Sequence, residues 1–187
     1  MKTRALEIPG YVTGRWAIDP VHSDVSFSVR HMMVSKVRGR FHGVDGFISL
    51  EPDPHQSSVE AVIDMTTIDT GNTDRDDHIR SADFFEVERY PTMTFRSTDV
   101  EVDGDQLCVV GDLHLHGQTR PVVLHLEVNG FTKDPYGAQR AGFSATTQIN
   151  RKDFGISIDM PMDGGGVVVG DKINVALEIE AVLQPSG

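Results

Sequence analysis

The chain has 187 residues, the length of one ordinary domain on a scale of roughly 150 residues per domain. Its 17 Lys and Arg against 28 Asp and Glu leave a net charge of −11, which excludes a nucleic-acid binder and argues against polybasic attachment to anionic lipid. With 39% apolar residues, a single cysteine (Cys108) and no run near the roughly 18 apolar residues of a spanning helix, the composition also excludes disorder, an internal disulfide and a cysteine-rich zinc site.

Residues 1–14 are polar and lack the apolar core of a secretory signal, so they read as an N-terminal extension to a single domain over 15–184. One thiol and no leader make the cytoplasm the expected compartment. From residue 15 onward the dominant period is two. Arg15–Ile18 is a short strand candidate, and Asp24–His31 alternates cleanly, with Val25, Phe27, Val29 and His31 on one face. Arg38–Leu50 reads as one long strand whose phase shifts, with Gly39, Gly43 and Gly46 allowing a bulge. Val59–Met65 follows. Thr70–Ser81 breaks the pattern and predicts a helix capped by Asn72 or Thr73, and Tyr90-Pro91 stops any helix before the next strand. Strands are then expected over Thr92–Val100, Leu107–Leu115, Val122–Val128, Phe143–Ile149 and Ile173–Leu183, with a hairpin turn at His116-Gly117. Gly164-Gly165-Gly166 reads as a hairpin loop. Roughly eight or nine strands separated by turns indicate an all-β antiparallel sandwich or barrel, with one or two short helices around 73–88.

Templates for catalysis are missing: there is no Gly-x-Ser-x-Gly, no phosphate loop and no His-Glu-x-x-His. His114 and His116 lie two apart on a strand and His125 lies across the hairpin, a spacing that would suit zinc. The same stripe carries Asp112, Glu127 and Asn129, which favours a solvated outer face, so no metal site is assigned. The mixed-charge run Asp74–Asp83 reads as a surface ion-pair network, and Cys108 as a structural thiol. The inward stripes mix Phe27, Phe95 and Phe143 with small residues such as Gly111 and Ala145, so an open interior and a filled one both fit the pattern.

Spaced blocks carry a resemblance. Trp16-Ala-Ile-Asp-Pro-Val-His22 through Gly39-Arg-Phe41, Arg75-Asp-Asp-His78 through Tyr90-Pro91, Gly111 through Val122, Arg151-Lys-Asp-Phe-Gly-Ile156 and Gly170-Asp-Lys-Ile173 occur in order and resemble the YceI-like family. The resemblance implies a lipocalin-like antiparallel β-barrel of about eight strands that binds a polyisoprenoid, an isoprenoid quinone or a fatty-acid-like amphiphile in an apolar tunnel, without catalytic residues. It implies a lining from Val25, Phe27, Val29, His31, Met33 and Phe41 in the opening block, and from Phe84, Phe85, Met93 and Phe95 in the middle block. Leu113 and Leu115 follow from the hairpin, and Phe143, Phe154, Ile156 and Met160 from the later blocks. Relatives are commonly exported and commonly dimeric. A homodimer is therefore expected here, whereas the missing leader is a departure.

The expected function is non-enzymatic carriage or sequestration of an apolar lipid, which would be the bound ligand, with no cofactor required and no nucleic-acid or membrane-spanning role. His31 and Arg30 are the candidate headgroup partners. Two alternatives stand beside it. One is an enzyme on a hydrophobic substrate using His22, His31 or the Asp76–His78 cluster. The other is a metal-binding module using His114, His116 and His125.

Overall fold

The computed structural model describes residues 8–32, 34–103, 106–158 and 169–186. Its strands, in chain order, are β1 (Gly14–Ile18), β2 (Asp24–His31), β3 (Ser35–Phe41), β4 (Val44–Leu50), β5 (Ser58–Asp64), β6 (Ile68–Asp69), β7 (Thr92–Asp103), β8 (Gln106–Leu115), β9 (Gln118–Lys133), β10 (Gln139–Asn150) and β11 (Val169–Leu183). Every pairing is antiparallel. Eight of these strands close a barrel in the order β1-β4-β5-β7-β8-β9-β10-β11, with β11 returning to β1. Within this ring, closure removes the free edges that an open sheet would present. β2, β3 and the short β6 form a branch that leaves the ring at β11.

The period-two reading holds because each wall strand has one face on the interior. In β8, Leu107, Val109, Gly111, Leu113 and Leu115 are buried while the residues between them are not. The branch point is β11 itself. Its residues 169–178 pair with β2 and residues 181–183 pair with β1. At the switch the Ser23 hydroxyl bridges one residue of β11, accepting from the Glu180 amide (3.0 Å) and donating to the Glu180 carbonyl (3.2 Å). The buried Ser23 side chain thus supplies an acceptor for the Glu180 amide, while the Glu180 carbonyl also accepts from the Asp19 amide at 2.8 Å.

The stretch read as one strand, Arg38–Leu50, is two. A turn at His42-Gly43 separates β3 from β4. This explains the phase shift: Phe41 ends the inward stripe of β3, and Val44, Ile48 and Leu50 belong to a new one. Phe47 consequently faces outward, and the Arg15 guanidinium stacks over its ring at 3.8 Å.

The one α-helix among the described residues, α1 (Thr73–Arg80), starts where the sequence places its cap. Asn72 Oδ1 accepts from the Arg75 amide at 3.0 Å. Past the helix, residues 81–90 continue in tight turns that return to it, with Val87 N donating to Arg80 O. The barrel has two apolar clusters. The larger, including Phe41, Met65, Phe95 and Phe154, occupies most of the interior. The smaller surrounds the fully buried Trp16 at the end where β1 meets β11. There the Trp16 ring meets Phe131 edge-on (5.5 Å), and its Nε1–H donates to Val12 O.

Candidate functional site

Two apolar-lined cavities follow the inward stripes, and a wider, open polar groove of about 860 Å³ lies on the outer side between Arg38, Arg40, His125 and Gln148. The first cavity holds about 190 Å³ and has an almost wholly apolar lining, drawn from β1, β2, β4, β5 and β7–β11 and from Ile8 and Tyr11. Its polar side chains are Tyr11, Ser57, Ser58 and Thr147. The Tyr11 hydroxyl donates to the Glu51 carbonyl, and Ser57 Oγ accepts from the Glu51 amide. So few polar groups on an otherwise apolar wall offer water little of the partnership it needs, and apolar cavities of roughly 150 Å³ stay dry.

The second cavity, about 150 Å³, continues the same inward stripes. On β2, Val25 lines the first cavity while Phe27 and Val29 line the second. On β11, Val175, Leu177 and Ile179 line the first while Val169 and Ile173 line the second. Aromatic rings stand at the boundary: Phe27 lies 5.7 Å from Phe41, and Phe41 lies 6.3 Å from Phe85. Besides its apolar residues, the second cavity is lined by Arg30, His31, Arg75, His78 and Arg151. The His31 ring makes no hydrogen bond to another described residue. Arg75 is held by Thr70, donating to both its hydroxyl and its carbonyl.

Arg151 is one of these lining residues and is 1% exposed. Its guanidinium donates to the carbonyls of Ile156 (2.8 Å) and Gly170 (3.0 Å) and meets Asp171 at 3.2 Å. A buried cation is tolerated where carbonyls accept from it and a carboxylate such as Asp171 lies beside it. The short helical turn Arg151–Phe154 that presents it is capped by Asn150 Oδ1 and ended by Gly155 in a left-handed conformation.

The YceI-like domain family matches residues 16–181. The chain belongs to that family. It is 46% identical over 139 residues to a UPF0312 protein of Vibrio cholerae, which is 73% of this chain and 74% of that relative. Among solved structures, Burkholderia cenocepacia BcnA superposes with a TM-score of 0.74 at 21% identity, covering 87% of this chain and 98% of that one. A polyisoprenoid binding domain from Saccharophagus degradans gives a TM-score of 0.68 at 18% identity, covering 92% and 100%. At these identities the two structures speak for the fold.

Within this YceI-like barrel the residues singled out from the sequence fall into distinct places. Val25, Met93, Phe95, Leu113 and Phe143 line the first cavity. Phe27, Val29, His31, Phe84, Phe85 and Ile156 line the second. Phe41, Leu115 and Phe154 sit in the packed core and line neither. Met33 and Met160, and the glycine run 164–166, lie outside the described residues. The sequence reading missed Ile8 and Tyr11, which line the first cavity from the segment set aside as an extension. It also missed the aliphatic stripes of β9 and β11. Those stripes were legible as inward faces, but nothing in them separates a cavity wall from a filled core.

The three histidines of the metal alternative do not converge. The tight turn puts His114 opposite Thr119, so His125 pairs with Cys108 instead. Six residues of strand then separate it from His114, roughly 20 Å at the usual rise. His114 Nδ1 meets Thr119 Oγ1 at 2.8 Å, and His125 Nδ1 meets Cys108 Sγ at 3.7 Å. His116 is in the turn, not on the strand. Its backbone is left-handed (φ 54°) and its Nδ1–H donates to Phe154 O.

Among the described residues one group has metal-like spacing, Asp19, His22 and Glu180. Arg140 already occupies it, at 3.0 Å from Asp19 and 3.4 Å from Glu180, and also binds Asp134 at 2.7 Å. Desolvation pushes the Asp19 carboxyl up. The hydrogen bonds from His22, Arg140 and the Val21 amide outweigh that and hold it at about 2. His22 is raised, chiefly by its bond to Asp19. The arrangement is an ion-pair knot tying the β1–β2 connection to β10 and β11. The Asp76–His78 cluster is likewise structural in its contacts: Asp76 is buried and accepts from the Thr70 amide and hydroxyl, and His78 pairs with Asp83 at 2.9 Å.

Proposed function

We propose that this YceI-like chain binds one apolar amphiphile in the barrel and carries or sequesters it without chemical change. The apolar first cavity is the observation that carries this reading. Each buried methylene contributes about 0.8 kcal/mol, and a preformed space reduces the ordering cost of a flexible chain. A polyisoprenoid or isoprenoid quinone is the favoured ligand class, in keeping with the solved Saccharophagus degradans domain described as polyisoprenoid binding. Two cavities sharing the inward stripes of β2 and β11 suit a long chain better than a compact one. The Phe27, Phe41 and Phe85 rings must turn for a tail to pass from one to the other. A headgroup that accepts hydrogen bonds would then sit in the second cavity, beside His31 rather than the outward-facing Arg30.

An enzymatic role has less support: Asp76, His78 and His22 are committed to structural partners, and the His31 ring, which lines the second cavity, has no hydrogen-bonded partner among the described residues to orient it as an acid or base. Organic extraction of the purified protein, followed by mass spectrometry, tests the proposal. A stoichiometric prenyl lipid supports it. An empty protein with no affinity for polyprenyl quinones or fatty amides contradicts it.

A further inference from the structure

The net charge of the chain conceals a local reversal. Between Asp24 and Asp45 the sequence carries Arg30, Lys36, Arg38 and Arg40 and no acid. The β2–β3 hairpin places all four on its outer face, with Arg30 directly opposite Lys36. Like charges directly across a ladder destabilise the pair. Among the described residues none of the four forms a salt bridge. The nearest acid by register is Asp69, opposite Arg40, and it is bonded to His42.

The tip of the same hairpin is apolar and in solvent: Met32 is 43% exposed and Val34 is 87% exposed. Elsewhere the strongly exposed apolar side chains lie beside acids, Val21 next to the Asp19 carboxylate and Tyr136 next to Asp134. Along β2 and β11 the outer face is polarised as well. Asp24 pairs with Glu178 at one end, and the cations collect toward the tip at the other.

We propose that the β2–β3 hairpin is a docking surface for an anionic lipid bilayer. The cations attract phosphate headgroups, and Met32 and Val34 enter the interfacial region between them. Each Lys or Arg at such a surface contributes roughly fivefold in binding. The acidic remainder of the barrel is repelled, so one orientation is favoured. That orientation sets the second cavity against the membrane, because Val29, Arg30, His31 and Val37 belong both to the hairpin and to the cavity wall. Docking itself requires no bound ligand. Its use as a route for ligand exchange rests on the carriage reading above.

The test is sedimentation with unilamellar vesicles of phosphatidylcholine alone and of phosphatidylcholine mixed with phosphatidylglycerol, at low and high salt. The wild-type chain is expected to sediment with the anionic vesicles only, and less at high salt. The double variant K36E/R38E should lose at least about 25-fold in affinity, and Val34→Ser should lose several-fold. All three side chains are exposed, so circular dichroism and chemical denaturation should show unchanged folding. Equal binding to both vesicle types, or wild-type binding by the double variant, overturns the proposal. So does an absence of vesicle binding alongside capture of an acidic protein by the same hairpin. Lipid extracted from the double variant should match the wild type. A wild type that docks but carries no lipid would contradict the carriage reading and leave the docking surface standing.

Discussion

The Phe27 ring fills the place where a side chain on its cross-strand partner Gly39 would begin. A Cβ at Gly39 would lie 2.6 Å from Phe27 Cζ and 2.9 Å from Thr70 Cγ2. A Cβ at Gly111 would likewise meet the Phe95 ring (2.4 Å), here from a diagonal position because Gly111 pairs with Ser97, and the Arg96 carbonyl is also only 2.6 Å away. The two glycines therefore differ in what must yield. At Gly39 a ring can swing into the adjacent cavity, whereas at Gly111 backbone must move. Gly39→Ala should cost about 1 kcal/mol and Gly111→Ala about 3 kcal/mol, the two ends of the usual overpacking range. Urea denaturation midpoints check the order. Equal losses would contradict the assignment of Phe27 as a movable boundary.

Filling the first cavity should separate binding from folding. Ala145 is buried on β10 between Phe143 and Thr147, and its side chain reaches the cavity. Ala145→Phe places a ring in existing space. Stability should change by less than about 2 kcal/mol, while co-purifying lipid should fall to background. Native mass spectrometry of the variant beside the wild type reads both mass and occupancy.

The buried Arg151 predicts a larger structural loss. Arg151→Met keeps most of the volume but leaves the Ile156 and Gly170 carbonyls without their donor. At about 1–3 kcal/mol for each buried group left unsatisfied, the variant should lose about 3 kcal/mol or more. Thermal unfolding measures it. A loss below about 1 kcal/mol would mean that water replaces the guanidinium.

The ion-pair knot predicts a pH dependence. His22 is raised above its ordinary 6.5, so the folded state holds its proton more tightly than the unfolded chain does. Its stabilisation is complete below that value and fades as pH rises past the folded one. Asp19 behaves oppositely. At about 2 against an ordinary 3.8, its contribution is present above 3.8 and fades as pH falls toward 2. Asp19, Glu180 and Arg140 are the charged groups facing His22. His22→Gln should therefore lower the melting temperature more at about pH 5.5 than at about pH 9. Equal shifts at both would remove His22 from the account.

How much of this was readable from the chain depends on the level. Alternation along β2, β8 and β11 was enough to separate inside from outside, and the Asn72 cap placed α1 within a residue. The β3–β4 turn was not legible, because the glycines at 39, 43 and 46 fit a bulge as well as a break. Cavity against core was also beyond reach. Gly111 and Ala145 look alike as small inward residues, yet Phe95 fills the space over the first while the second opens into the cavity. The role of Arg151 rests on carbonyls brought together by the fold, and local sequence carries no signal for that. Net charge misled in a similar way, since −11 for the whole chain said nothing about the cations gathered on one hairpin.

The most direct test of the central claim uses the single tryptophan, Trp16, buried in the cluster that includes the cavity-lining Phe143. A polyprenyl quinone is titrated into delipidated protein while tryptophan fluorescence is followed. Saturable quenching at one quinone per chain, abolished in Ala145→Phe, is the result expected. Quenching that never saturates, or that persists unchanged in the cavity-filled variant, would contradict binding inside the barrel.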